Sequence, residues 1–212
     1  RTLSQEPDKP YFMLGHSMGS YLLRRYLSVY GGGLSGAVIM GTGANPDAVA
    51  KLGMAVCKAI AAFKGWKYRS PFMEKLFFSG DFQKFDMDGT HPENSWLTKD
   101  TEIVRFYYSE PRCTFKFTLK AYYDFLKTVY YVNRKENVEK IPKDLPILMV
   151  AGDCDPVGEF GKAVKRVYEM YKAAGINDVT LKLYENDRHE ILNETDKEIL
   201  RNDSFPFLYS YH

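Results

Sequence analysis

Ser17 stands between two glycines, in Gly15-His16-Ser17-Met18-Gly19, directly after the apolar run Tyr11–Leu14 and directly before a stretch with helical periodicity. A serine hydroxyl becomes a useful nucleophile only when it is exposed and lies next to a base. A sharp strand-to-helix turn supplies the exposure, because it pushes the serine out beyond the sheet edge. Such a turn leaves little room for neighbouring side chains, the expected reason for Gly15 and Gly19. It also puts the Met18 backbone N–H at a helix start, where it can point at a developing oxyanion. A serine of this kind needs a base and an acid, in the order serine, acid, histidine. His189 follows the run Val179–Tyr184, in Glu185-Asn186-Asp187-Arg188-His189-Glu190, and would take the proton from Ser17. The acid lies in Gly152-Asp153-Cys154-Asp155-Pro156-Val157-Gly158, after the run Ile147–Ala151. Asp155 sits further into that loop and is the favoured partner. Asp153 remains the alternative, with a competing role in bracing the turn through backbone bonds. Of the other histidines, His16 is expected to point away from the turn, His91 lies in a polar loop and His212 ends the chain.

The elements that must carry these residues can be read from hydrophobic pattern. The runs Tyr11–Leu14, Ala37–Met40 and Ile147–Ala151 are continuous rather than alternating, the pattern of strands buried on both faces of a parallel sheet. Val179–Tyr184 is the fourth strand. Apolar positions at Leu22, Leu23, Tyr26 and Leu27, and again at Phe160, Ala163, Val164, Val167, Tyr168, Met170 and Tyr171, follow helical spacing, with Gly175 as the cap of the second helix. Strand and helix in alternation predict a parallel α/β architecture. Between Gly43 and about Pro142 the pattern changes to helical patches at Pro46–Lys64, Lys99–Tyr108 and Phe117–Asn133, rich in aromatics. The expected organisation is a core segment 1–44 with the serine turn, a mostly helical insertion 45–142, and a second core segment 143–212 with the acid and histidine loops.

Composition narrows the function classes. The 212 residues carry 29 Lys+Arg against 27 Asp+Glu, a net charge of +2, with 45% hydrophobic and 26% charged residues. So balanced a charge offers no field for nucleic acid. No apolar run approaches the ~18–20 residues of a membrane span. Three widely spaced cysteines, Cys57, Cys113 and Cys154, argue against a disulfide framework and for a reducing, cytoplasmic compartment. Cofactor and metal readings fail on spacing. Gly41-Thr42-Gly43 would need a third glycine where Pro46 stands; His189-Glu190 would need a second histidine where Asn193 stands; and a calcium loop around Asp86-Met87-Asp88-Gly89 would start at Lys84 and end at Ser95. No cofactor and no metal site are expected.

The segments YFMLGHSMGSYLLRRY (residues 11–26), AGDCDPVG (151–158) and LKLYENDRHEILNE (181–194) resemble the α/β-hydrolases grouped as serine aminopeptidase S33-like, monoacylglycerol lipase-like or lysophospholipase-like proteins. Asn94–Asp100 and Tyr108–Cys113 resemble the lid of bacterial members. The resemblance implies an α/β-hydrolase fold with Ser17 as nucleophile, Asp155 as acid, His189 as base and the Met18 N–H as one oxyanion donor. The family pattern Gly-x-x-Asp, here Gly152 to Asp155, selects Asp155. It implies a small-molecule or lipid substrate, with Phe72, Phe77, Phe78, Trp96, Phe106 and Phe117 available to wall an acyl-chain pocket. Members of the family carry further strands before the elbow, with a His-Gly segment that supplies the second oxyanion donor. The opening Arg1-Thr2-Leu3-Ser4 therefore reads as a chain entered partway, holding the later half of the core and leaving Tyr11–Leu14 as an unpaired, aggregation-prone edge. After Glu198, Arg201–Pro206 breaks the helix expected to close the fold. The leading function is a serine hydrolase of lipid-like carboxylic esters; the alternatives are a catalytically weak or inert chain that keeps the fold, or a peptidase or general carboxylesterase of the same fold.

Overall fold

Strands with no polar face must be covered on both sides, and two of the four apolar runs, Ala37–Met40 and Ile147–Ala151, are, whereas Tyr11–Leu14 is not, with Leu14 54% exposed. In the computed structural model, which describes residues 9–200 together with Asn202 and Phe207, β1 (Phe12–His16), β2 (Gly36–Met40), β3 (Ile147–Gly152) and β4 (Val179–Tyr184) lie in that order, every adjacent pair parallel. β2 and β3 are buried throughout; β1 and β4, the two edges of the described sheet, are only partly so. Side chains alternate between the two faces. Ala37, Ile39, Ile147 and Met149 meet Leu23 and Leu27 of α1 (Met18–Tyr30) and Val164, Val167 and Tyr171 of a later helix. Val38, Met40, Leu148 and Val150 face the other way, onto Tyr184, Ile191 and Leu200.

Between β2 and β3 run α2 (Asp47–Lys64), α3 (Pro71–Phe77), α4 (Thr101–Ser109), α5 (Leu119–Val132) and the single turn α6 (Lys135–Val138). Three of these match the helical patches read from periodicity. α3 is too short for a period to register, and its start is set locally: Pro71 needs no N–H partner, and Ser70 Oγ accepts the Met73 N–H at 3.3 Å. Asp100 and Thr118 cap α4 and α5 in the same way. These helices have a core of their own, Cys57, Ala61, Met73, Leu119, Tyr122 and Leu126, with Phe77 and Phe117 packed against it. The final helix, α7 (Lys162–Ala173), begins later than the stripe from Phe160 suggests. Glu159, Phe160 and Gly161 all have φ between 49° and 82°, a left-handed run that no right-handed helix can include. Its other end agrees with the sequence reading, since Gly175 lies just beyond it at φ 80°. Residues 197–200, 202 and 207 are helical. The expected break at Arg201–Pro206, Asn202 apart, lies outside the described residues, as do Arg1–Ser4 and His212.

Arg24 of α1 joins the insertion to the sheet. It is buried, yet its guanidinium meets neutral acceptors only: Thr42 Oγ1 (3.2 Å) and Gly43 O (2.9 Å) beyond β2, and Val132 O (3.3 Å) and Asn133 Oδ1 (2.7 Å) at the end of α5. Carbonyls at a helix C-terminus suit a cation. Arg24→Met keeps the volume but strands these acceptors. We expect it to cost about 1–3 kcal/mol, read as a lower urea midpoint at unchanged slope.

Candidate active site

At the end of β1 the chain turns into α1 through one residue, Ser17, held at φ 54° and ψ −124°. A non-glycine residue with positive φ costs energy and persists only when its surroundings impose it. Here the Ser17 N–H donates to Met40 O at the end of β2 (3.0 Å), while Ser17 O accepts the Ser20 N–H (2.9 Å) and the Ser20 hydroxyl (2.6 Å). Met18 opens α1, so its N–H has no acceptor within the helix. The two flanking glycines differ. A Cβ on Gly15 would lie 2.4 Å from Gly19 O and 2.9 Å from Leu23 Cβ, whereas one on Gly19 would meet no described atom within 4 Å beyond its chain neighbours and the nearby backbone of its own helix. The expected crowding therefore explains Gly15 and not Gly19.

Asp155 and His189 come together from the loops after β3 and β4. His189 Nδ1–H donates to Asp155 Oδ2 at 2.9 Å, and both side chains are at most 1% exposed. Asp155 Oδ1 accepts the Val157 N–H (2.8 Å). Asp153 does something else: its Oδ1 accepts the Asn186 N–H (2.8 Å), tying the acid loop to the histidine loop. Because Nδ1 must carry the proton to meet a carboxylate, neutral His189 has an unprotonated Nε2. That atom is buried and has no hydrogen-bond partner among the described residues, so the Ser17 hydroxyl is not bonded to it. Such contacts commonly tighten only once substrate is present. Burial pushes the His189 pKa down, but the Asp155 carboxylate, its hydrogen bond and Glu190 outweigh it, and the net shift is upward.

Two neighbours of His189 were not anticipated. His16 does not point away: its Nε2–H donates to His189 O (3.0 Å), its ring lies 4.7 Å from the His189 ring, and Gly41 at φ 57° makes the space for both. Burial, then the nearby His189, hold the His16 pKa below its ordinary value, although Glu190 pulls the other way. Trp96 of the insertion stacks on His189 with centroids 5.0 Å apart and planes 30° apart. Its segment is bonded to the histidine loop along its length. Trp96 O accepts the His189 N–H (3.4 Å), Leu97 O the Glu190 N–H (2.7 Å), and the Arg188 guanidinium donates to Glu93 O, Ser95 O and Thr98 O. Buried Glu194 accepts the Arg188 N–H (2.9 Å), the Lys99 N–H (3.0 Å) and the Thr98 hydroxyl (3.0 Å). No local pattern marks these residues; the sole sequence signal was the lid resemblance of Asn94–Asp100. The other aromatics offered as pocket walls divide: Phe77 and Phe117 pack within the insertion, Phe78 lies between Phe77 (5.6 Å) and Trp96 (6.1 Å), and Phe72 and Phe106 are exposed.

One acidic cluster has the spacing of metal ligands, with oxygens of Asp187, Glu194 and Asp196 within 4.8 Å of one another. The Lys99 ammonium already lies among them, at 2.7, 3.9 and 3.4 Å. Burial pushes Asp187 up to about 6 even against Lys99. The cluster is a partly buried ion-pair network in which the Lys99 ammonium supplies the positive charge. Cys57, Cys113 and Cys154 are free thiols, and no described helix is long and apolar enough to cross a membrane.

Known proteins share this arrangement of chain. The family described as serine aminopeptidase, S33 matches residues 1–196. A monoacylglycerol lipase of Mycolicibacterium smegmatis is 24% identical over 212 residues, covering 98% of this chain and 65% of that protein. The chain thus spans just under two thirds of that relative. A thermostable carboxyl esterase from Bacillus coagulans, solved with glycerol, superposes with a TM-score of 0.87 at 29% identity, over 99% of this chain and 67% of that one. A soluble variant of a Saccharomyces cerevisiae monoglyceride lipase, solved with a substrate analogue, shares the fold at a TM-score of 0.74 and 22% identity, over 99% of this chain and 65% of that one.

The unequal glycines give a direct check on the turn. Gly15→Ala must displace backbone and is expected to lower Tm by more than 10 °C or prevent folding. Gly19→Ala, inside α1, is expected to leave Tm unchanged or raise it, since alanine gains about 0.5–1 kcal/mol over glycine in a helix. Differential scanning calorimetry of the two variants reads the difference.

Proposed function

The chain belongs to the serine aminopeptidase S33 family, and from that premise we propose that it is a serine hydrolase of lipid-like carboxylic esters, monoacylglycerols or lysophospholipids. The observation that carries this reading is the buried Asp155–His189 pair, 2.9 Å apart, with Nε2 left without a partner among the described residues, joined through His16, whose Nε2–H donates to His189 O, to the elbow that holds Ser17 at φ 54°. A buried histidine that is both oriented and unsatisfied is costly unless a reacting group completes it. The likeness to a carboxyl esterase and a monoacylglycerol lipase supports an ester rather than a peptide substrate. The proposed location is cytoplasmic, on the strength of three free thiols.

In this mechanism Ser17 Oγ attacks the ester carbonyl carbon as its proton passes to His189 Nε2. Asp155, accepting from Nδ1, fixes the tautomer and balances the imidazolium. The Met18 N–H donates to the oxyanion, with the first turn of α1 behind it. Collapse of the tetrahedral intermediate gives the alcohol its proton back from Nε2 and leaves an acyl group on Ser17. Water, deprotonated by the same nitrogen, then releases the carboxylic acid.

A fluorophosphonate probe is expected to label this chain at Ser17 and not to label Ser17→Ala; absence of labelling at Ser17 favours the inert reading. On a p-nitrophenyl ester, Asp155→Asn is expected to lose about 10⁴-fold in kcat, and Asp153→Asn, which keeps the pair, less than tenfold. Since His189 must be neutral to act as base and its pKa is raised, kcat/KM should climb with pH through a midpoint above about 6.5. Asp155→Asn removes the larger of the two groups that raise it and leaves only Glu190 against burial, so that midpoint should move down.

A further inference from the structure

The imidazole of His189 is enclosed on every side, and the groups around it differ in what they do to a positive charge. Asp155 accepts from Nδ1 at 2.9 Å, and Glu190 follows in the chain; both favour the cation. His16 faces one side of the ring at 4.7 Å and, kept below its ordinary pKa by burial first and by His189 second, adds no opposing charge as the neutral form. Trp96 stacks on the ring at 5.0 Å and 30°. The ring that makes this contact cannot drift. Phe82 meets it edge-on at 5.3 Å and 74°, Phe78 lies at 6.1 Å, and the Trp96 carbonyl holds the His189 N–H.

We propose that Trp96 is a positioning residue for His189: its indole face fixes the imidazole plane and stabilises the positive charge that His189 carries after taking the Ser17 proton. This rests on the Ser17–His189 reading given above. Tryptophan has the most negative aromatic face, and a cation over it gains more when both are removed from water. Trp96 is 9% exposed and His189 1%. The contact is weak toward neutral imidazole and strong toward imidazolium, so it favours the transition state over the resting enzyme, the condition for a contact to raise kcat. It differs from a plain packing role in one measurable way, the proton affinity of His189.

The test is the His189 pKa, read without turnover from the NMR titration of its Cε1–H, assigned by its loss in His189→Gln, and separately from the acid limb of kcat/KM. Trp96→Leu should lower it by about 0.3–1 unit, and Trp96→Phe by less. Water admitted by a smaller side chain would move it the opposite way. An isosteric series removes that concern: 5-fluoro- and 5,7-difluorotryptophan, incorporated in a Trp66→Phe background so that only Trp96 is labelled, should lower the pKa stepwise as the ring face loses negative charge. A pKa that stays constant or rises across the fluorinated series, or that falls equally in Trp96→Leu and Trp96→Phe, overturns the proposal. The NMR readout holds whether or not Ser17 labels, so failure here and failure of the hydrolase reading give different results.

Discussion

A carboxylate with no exposure to water is tolerated only when every lone pair it turns inward meets a donor. Asp155 meets that condition by taking the Val157 N–H on one oxygen and His189 on the other. The two donors come from loops that follow different strands, so the pair exists only while β3 and β4 keep their register, Gly152 opposite Tyr184. The loops are then joined directly: the Cys154 N–H donates to Asp187 O (2.9 Å) and Asp153 receives the Asn186 N–H. They approach so closely that a Cβ on Gly152 would lie 2.0 Å from Asp187 O. The glycine that opens the Gly-x-x-Asp pattern is thus a steric requirement of the acid–histidine contact. One slipped residue in this register would turn the inward face of β4 outward and leave Asp155 buried without its partner.

What could be read from the sequence was what is local. Apolar runs marked the strands to within two residues, and for β2 and β3 the run is continuous because both faces are buried. The glycines around Ser17 gave the elbow, because the strain sits in a single residue. His189 was marked by its place after the last strand and Asp155 by its place in the preceding loop. The start of α7 was misread for the same reason that the rest was read: Phe160 fits the apolar stripe, and nothing in side-chain pattern reports that three successive residues are left-handed. His16 and Trp96 were missed as neighbours of His189 because their contacts cross 173 and 93 positions of chain. Glu194 looks like any surface acid until Arg188, Thr98 and Lys99 are seen to converge on it.

The insertion resolves into two parts with different attachments. Its helices pack on one another around Met73, Leu119 and Tyr122, and reach the sheet through α5, where Val129 and Val132 meet Tyr21 and where Arg24 holds the helix end. The segment Ser95–Lys99 belongs energetically to the histidine loop instead. Its carbonyls satisfy Arg188, His189 and Glu190, and its own N–H and hydroxyl groups satisfy Glu194.

That division decides where such a structure can open. Withdrawing Ser95–Lys99 would strip buried Glu194 of the Thr98 hydroxyl and the Lys99 N–H, leaving it the Arg188 N–H alone, and would take the Ser95 and Thr98 carbonyls from the Arg188 guanidinium, a cost of several kcal/mol. It would also uncover His189 at the moment its geometry matters. Sliding α2 to α5 over the sheet would expose apolar surface and, at the end of α5, part Arg24 from its acceptors Val132 O and Asn133 Oδ1. On the proposed hydrolase reading, a movement that admits an ester would fall more easily to the helices than to Ser95–Lys99, which is bonded to the histidine loop.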